Sequence, residues 1–236
     1  MAVTVNSTKD SYISLLNPND NHGSSVGFIQ IQYSGGDKVD DSRTLGHFDL
    51  SATGLTAAQV WNARLVLTED TWAVSNAPFT VYIRRLTQIN WTEAGVTWNK
   101  YDGTNAWVSA GGDMTATDEG IDVVRVNHAI GKVWYLSGLA PLVKDAITSR
   151  SNQLHIELFI QADTASHFAE WTPRESGTNQ WYLEVNYPPI PSQFGRPFHP
   201  GKGVSNIGRF YQTRKDTGIA EAVVSAVKRV FAYIFG

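Results

Sequence analysis

The chain has 236 residues, of which 42% are hydrophobic, 11% aromatic and 17% charged, with a net charge of −3 and no cysteine. This length accommodates one globular domain with a remainder, and the low charged fraction is typical of extracellular β modules and virus coat proteins. The net charge excludes a global basic field for specific nucleic-acid binding, and the lack of cysteine excludes disulfides, thiolate metal sites and a cysteine nucleophile.

Hydrophobic and polar residues alternate from residue 3 to about residue 187, which predicts half-buried antiparallel strands. The clearest runs are 26–33, 64–68, 79–86, 154–161 and 180–187, separated by turns rich in Asn, Asp and Gly. In one run the alternation places Leu154, Ile156, Leu158 and Ile160 inward and His155, Glu157 and Phe159 outward. A helical spacing at 139–147 predicts one short helix that plugs an open end or edge. The pattern indicates an all-β fold, an antiparallel β-sandwich of the jelly-roll type.

The composition changes after residue 187. Residues 188–203 hold five prolines and three glycines, which predicts an extended arm because proline removes backbone donors and fixes φ. Residues 217–236 are predicted to form an amphipathic helix. Its apolar stripe contains Ile219, Val223, Ala226, Val227, Val230, Phe231 and Ile234. The predicted organisation is a sandwich at 1–187, a Pro/Gly-rich linker arm at 188–216 and an anchoring helix at 217–236.

The apolar stripe of this predicted helix needs a partner. Three partners are open: the chain's own sandwich, a bundle or groove in a larger assembly, and a membrane surface. The length of the proline-rich arm favours self-association or docking into an assembly over folding back. We therefore expect residues 188–236 to be the attachment region.

Five short motifs occur in order along the predicted sandwich. They are DSYI at 10–13 with NPNDNHG at 17–23, RTLGHFDL at 43–50, ARLVL at 63–67, WTEAGVTWN at 91–99 and WYLEVNY at 181–187. Together they resemble the DNRLRE (disaggregatase-related) modules, which are also classed among carbohydrate-binding modules. The resemblance implies a β jelly roll with a binding or structural role for residues 3–187, and it does not extend to residues 188–236.

The WTEAGVTWN motif has two interpretations. Trp91 and Trp98 could form a platform on which sugar rings stack. Alternatively, the two tryptophans pin a long loop onto the sandwich while Glu93 accepts hydrogen bonds from loop amides, since buried aromatic residues mostly supply packing. We favour the second interpretation, because the pattern of the motif is typical of a structural element that packs on the domain.

The N-terminal segment is rich in oxygen ligands, including Asp10, Asn19 and Asp20. Calcium prefers carboxylate and carbonyl oxygens, so these residues are the candidate ligands of a calcium ion. The alternative is that the side chains bond their own backbone in Asx turns. The spacing differs from that of an EF-hand loop, and no other cofactor is expected.

No catalytic motif is apparent. The six histidines are scattered without a zinc-binding spacing, and there is no nucleophile elbow. Carboxylate pairs such as Glu170 with Glu175, or Glu93 with Asp102, could serve a glycosidase only if they faced each other across a cleft. We therefore expect a protein that is not an enzyme.

The predicted function follows from these parts. A β module without a recognisable secretory signal, carried on an arm with an apolar helix, suggests a structural or attachment protein of a virion, such as a bacteriophage decoration, spike or fibre subunit. The arm and helix would bind other virion proteins or sister chains, and the exposed sandwich would bind host glycans. The alternative is a carbohydrate-binding or adhesin module of a prokaryotic cell-surface protein.

Overall fold

The computed structural model describes residues 2–70, 79–116, 120–124, 133–161 and 165–186. The strands are β1 (Val3–Asn6), β2 (Lys9–Ser14), β3 (Gly27–Ser34), β4 (Asp37–Asp49), β5 (Ala63–Thr68), β6 (Phe79–Arg85), β7 (Gly120–Val124), β8 (Val133–Ser137), β9 (Gln153–Ile160), β10 (His167–Trp171) and β11 (Tyr182–Val185). One α-helix, α1 (Ala140–Ser149), and three short 3-10 turns (Ser51–Thr53, Ala57–Gln59 and Arg174–Ser176) complete the described elements. The predicted linker arm at 188–216 and the predicted helix at 217–236 lie outside the described residues.

The strands form two antiparallel sheets. The smaller sheet has the order β1-β11-β5-β8. The larger sheet has the order β10-β3-β4-β9-β6-β7, and β2 also pairs with β4. The predicted all-β antiparallel sandwich with one short helix is therefore confirmed.

The main core lies between the two sheets, where every second residue of the paired strands faces inward. From the larger sheet come Phe79, Val81, Ile83, Leu154, Ile156, Leu158 and Ile160, and from the smaller sheet come Val5, Ala63, Leu65, Leu67, Trp134, Leu136, Leu183 and Val185. The alternation predicted for β9 is thus confirmed, and His155, Glu157 and Phe159 face away from this core. Because strand side chains alternate, the same strands also define the residues on the outer face of each sheet.

Helix α1 contributes Leu142, Val143 and Ala146 to the core. Proline is tolerated in its first turn because the amide there has no helical acceptor. The helix contacts β5 of the smaller sheet and β9 of the larger sheet, as expected of a plug. No helix among the described residues is long and apolar enough to cross a membrane.

A second, smaller core lies on the outer face of the larger sheet. Residues 87–116, between β6 and β7, fold over this face and bury their own aromatic side chains against it. The cluster consists of Ile13, Leu45, Leu86, Trp91, Val96, Trp98 and Trp107. The loop contacts two of the residues that alternation places outward on β9, His155 through Trp91 and Glu157 through Gly112. The third, Phe159, is buried beside Tyr82, Arg43 and Arg84 of the sheet.

Candidate functional site

A cleft opens between the outer face of the larger sheet and the last part of the covering loop, residues 108–116. Its volume is about 540 Å³, within the range of small-ligand sites. Arg43 on β4 and Arg84 on β6 line the cleft from the sheet, and Val108, Ser109 and Asp113 line it from the loop. The cleft therefore combines cationic donors, a hydroxyl and an apolar side chain in one concavity.

Arg43 is held in place by four hydrogen bonds. Its Nε and Nη2 donate to the carboxylate of Asp41 at 3.1 and 2.9 Å, and its Nη1 donates to Glu157 Oε1 at 3.0 Å and to the carbonyl oxygen of Gly111 at 2.9 Å. The guanidinium also lies 4.9 Å from the ring centre of Trp98. Arg43 thus ties the sheet to the covering loop and forms a rigid floor.

Glu157 is fully buried beside Arg43. Burial raises the pKa of Glu157 to about 7, although the positive charge of Arg43 acts in the opposite direction. The loop passes very close to this side chain, since a Cβ atom on Gly112 would lie 2.1 Å from Glu157 Oε2. Gly112 also has a φ of 105°, which side chains disfavour. Only glycine at this position lets the wall of the cleft pack against its floor.

Arg84 is positioned by an aromatic ring. Its guanidinium carbon lies 5.0 Å from the ring centre of Phe159, and Phe159 in turn stacks on Tyr82 at 5.7 Å. Arg84 Nη1 also lies 3.8 Å from the sulfur of Met114 in the cleft wall. The stacking on Phe159 and the contact with Met114 together restrict the guanidinium at the cleft.

The loop wall is organised around Asp113. Its carboxylate accepts the backbone N–H groups of Val108 at 2.9 Å and Ser109 at 2.8 Å, and its carbonyl oxygen accepts the N–H of Thr87 at 2.7 Å. The N–H of Gly111 donates to the carbonyl oxygen of Trp98 at 2.8 Å. These bonds fix Val108 at the rim, where it is 95% exposed. An apolar side chain therefore stands at the rim of the cleft.

The predicted sugar platform of Trp91 and Trp98 is wrong, because both side chains are buried. Trp91 is 1% and Trp98 7% exposed. Trp91 Nε1 donates to His155 Nδ1 at 3.1 Å, and Trp98 lies beneath Arg43. Both side chains pin the covering loop, as the alternative interpretation of the motif held, and Glu93 accepts the N–H of Asp10 at 2.9 Å.

The three candidate calcium ligands have separate contacts. Asp10 is buried, and its Oδ2 accepts Trp181 Nε1 at 2.5 Å and the N–H of Arg174 at 3.0 Å. Asn19 Oδ1 accepts from the side chain of Asn99 at 3.0 Å. Asp20 is exposed, and its N–H donates to the carbonyl oxygen of Asn17 at 3.1 Å. The calcium hypothesis therefore stays a prediction.

Among the described residues, Asp10, Glu93 and Glu175 bring carboxylate oxygens within 4.8 Å of one another. Arg174 supplies a positive charge to this group, because its guanidinium contacts Glu93 at 2.7 Å, Glu175, and Asp10 at 3.8 Å. Burial raises the pKa of Asp10 to about 7. The guanidinium of Arg174 therefore supplies the positive charge that balances these carboxylates. Its contacts also link β2, the covering loop and the turn after β10.

The predicted partner-binding residues lie outside the described part of the chain, in the C-terminal segment. They are Ile219, Val223, Ala226, Val227, Val230, Phe231 and Ile234. The sequence pattern does not mark Arg43, Arg84, Val108 or Asp113 as site residues. The Gly-Gly-Asp triplet at 111–113 is typical of a turn, but spacing alone does not reveal which surface a turn will face.

A comparison with known protein families bears on the sandwich as a whole. Residues 1–187 match the model of carbohydrate-binding module family 96. No curated protein matches the chain. The match supports the broader part of the resemblance, a carbohydrate-binding module, without addressing the disaggregatase-related modules specifically. Because the matched residues make up most of the 236, the chain belongs to carbohydrate-binding module family 96.

Proposed function

We propose that the chain binds a carbohydrate in the cleft between Arg43, Arg84 and the 108–116 wall. On this proposal it is the binding module of a prokaryotic cell-surface or extracellular protein. The observation that carries the proposal is the cleft itself, where two ordered arginines and an exposed valine share one concavity in a chain of a carbohydrate-binding family.

The chemistry of the cleft suits a sugar. Arg84 offers guanidinium donors to hydroxyl or carboxylate oxygens, and the hydroxyl groups of Thr87 and Ser109 line the same space. Val108 supplies an apolar contact for the C–H face of a ring. Because the floor and the wall are already hydrogen bonded, binding costs little conformational entropy.

The family match favours the cell-surface alternative over the virion. Nothing in the match points to a capsid or a tail, whereas a carbohydrate-binding module fits an adhesin or a secreted polysaccharide-binding protein. We retain the attachment role for residues 188–236 as part of the proposal, since a binding module acts by holding a partner near a glycan. Its test is sedimentation of the full chain beside a chain that ends at residue 187.

Arg84→Ala tests the cleft. A glycan array of neutral and acidic oligosaccharides first identifies a ligand of the full chain, and calorimetry then measures its affinity. We expect Arg84→Ala to weaken binding about tenfold, because a hydrogen bond to a charged donor contributes roughly 1.5–3 kcal/mol. The matched control is Lys144→Ala, which removes one positive charge from the exposed side of α1. Equal affinities of wild type and Arg84→Ala would refute binding in the cleft.

A further inference from the structure

The outer face of the larger sheet continues past the cleft along β6. Val81 and Ile83 belong to the main core, so the alternating residues Tyr82 and Arg84 face outward. They are two residues apart on one strand, which separates them by roughly 6.7 Å. Tyr82 therefore occupies the outward position next to Arg84, and Arg84 lines the cleft from the sheet.

Tyr82 belongs to a stack of aromatic rings and guanidinium groups. Its ring lies 5.7 Å from that of Phe159, with an angle of 24° between the two planes. The guanidinium carbons of Arg84 and Arg43 lie 5.0 and 5.7 Å from the centre of the Phe159 ring, and Arg43 also lies over Trp98. Phe159 and Trp98 are buried, whereas Tyr82 is half-buried. Tyr82 is thus the aromatic member of the stack that reaches the surface, and its neighbours hold it in place.

Uncharged polar side chains lie on the other side of Tyr82. Thr80 is the next outward residue of β6. Gln161 follows β9 directly and lies opposite Thr80, because register pairs their neighbours Val81 and Ile160. Thr80 is half-buried and Gln161 is exposed, and their hydroxyl and amide groups can each donate and accept hydrogen bonds. The tyrosine ring is therefore flanked by a guanidinium on one side and by uncharged polar groups on the other.

We propose that Tyr82 forms a second sugar subsite beside the cleft, so that the bound glycan is an oligosaccharide that runs along β6. This inference rests on the proposed function, because it takes the sugar in the cleft as its starting point. One sugar lies in the cleft against Arg84 and Val108. The next sugar stacks its C–H face on Tyr82, since the negative face of an aromatic ring attracts such polarised hydrogens. Thr80 and Gln161 bond the hydroxyl groups of this second sugar.

The test is NMR titration of the full chain with three series of sugars, each from the monosaccharide to the hexasaccharide: β-1,4-linked glucose, β-1,4-linked mannose and α-1,4-linked galacturonate. We expect the affinity of the wild type to rise about fivefold between the monosaccharide and the trisaccharide of at least one series. Tyr82→Ala should abolish this rise and leave the affinity for the monosaccharide within about twofold. Tyr82→Phe should keep the rise, because stacking needs the ring and not the hydroxyl.

Arg84→Ala separates this subsite from the cleft, because it should weaken binding of every chain length by the same factor. Two results would overturn the subsite and leave the cleft in place: a Tyr82→Ala protein that keeps the rise in affinity, or a wild type whose affinity does not rise with chain length.

An equal loss at every chain length in Tyr82→Ala would also overturn the subsite, since Tyr82 would then act only by positioning Arg84 through Phe159. A wild type that binds none of the three series would refute both proposals. Thermal unfolding checks that the variants are folded. Tyr82→Leu, which keeps an apolar contact with Phe159 but has no aromatic face, takes the place of Tyr82→Ala if that protein does not fold.

Discussion

At the scale of single residues, two buried histidines, His47 and His155, lie in contact beneath the covering loop. The rings of His47 and His155 lie 4.2 Å apart, and His155 also accepts the indole N–H of Trp91. Burial lowers the pKa of His155 to about 3, and the nearby His47 and Lys9 add to this effect. Burial lowers the pKa of His47 as well. Both rings are therefore neutral in the folded protein near pH 7.

This neutrality predicts a specific pH dependence. An unfolded histidine takes up its proton below about pH 6.5, whereas folded His155 does so only near pH 3. The unfolded state thus binds more protons in that window, and stability falls as the pH drops through it. Between pH 7 and pH 5 the loss due to His155 is about 2 kcal/mol.

Denaturant unfolding of wild type and His155→Gln at both pH values measures this loss. The variant should lose about 2 kcal/mol less than the wild type. The comparison between the two proteins is needed because the raised pKa values of Asp10 and Glu157 act in the opposite direction, adding stability at low pH that is lost as the pH rises through about 7. Parallel pH profiles of the two proteins would show that the neutral ring of His155 does not cause this loss of stability.

At the scale of elements, the sequence pattern predicts the strands well, but it does not predict which sheet faces are covered by loops. The alternation of Leu154, Ile156, Leu158 and Ile160 correctly identifies the inward face of β9. It equally identifies Glu157 as outward, but it cannot reveal that Gly112, more than forty residues earlier in the chain, packs against this side chain. The pattern does not reveal the cleft for the same reason, because the cleft forms only where Arg84 of the sheet meets Val108 of that loop.

The covering loop is predicted to depend on Trp91. Trp91→Ala removes a buried ring that packs on the sheet and bonds His155, so we expect a loss of about 3–5 kcal/mol in the free energy of unfolding. Trp61 is 56% exposed, and Trp61→Ala is the matched control, expected to change stability by less than about 1 kcal/mol. Denaturant unfolding distinguishes the two variants. Equal losses would show that Trp91 does not anchor the loop.

At the scale of the whole molecule, one sandwich presents two differently built outer faces. A loop covers the larger sheet and forms with it a cleft that is lined by Arg43 and Arg84. The smaller sheet carries the ion pair of Arg64 and Glu184, and the guanidinium of Arg64 stacks on Tyr135. The low charged fraction is typical of extracellular β modules and of virus coat proteins, whose surfaces rely on uncharged polar groups. Membership of carbohydrate-binding module family 96 fits an extracellular β module, and we propose that the glycan binds in the cleft.

Backbone amide NMR of the full chain, titrated with the oligosaccharide that binds most tightly on the array, locates the bound glycan. We predict that the largest chemical-shift changes fall on Arg84, on 108–116 and on Arg43, and that Arg84→Ala removes these changes at the same ligand concentration. Unshifted amides in the cleft, together with shifted amides on another surface, would refute binding in the cleft.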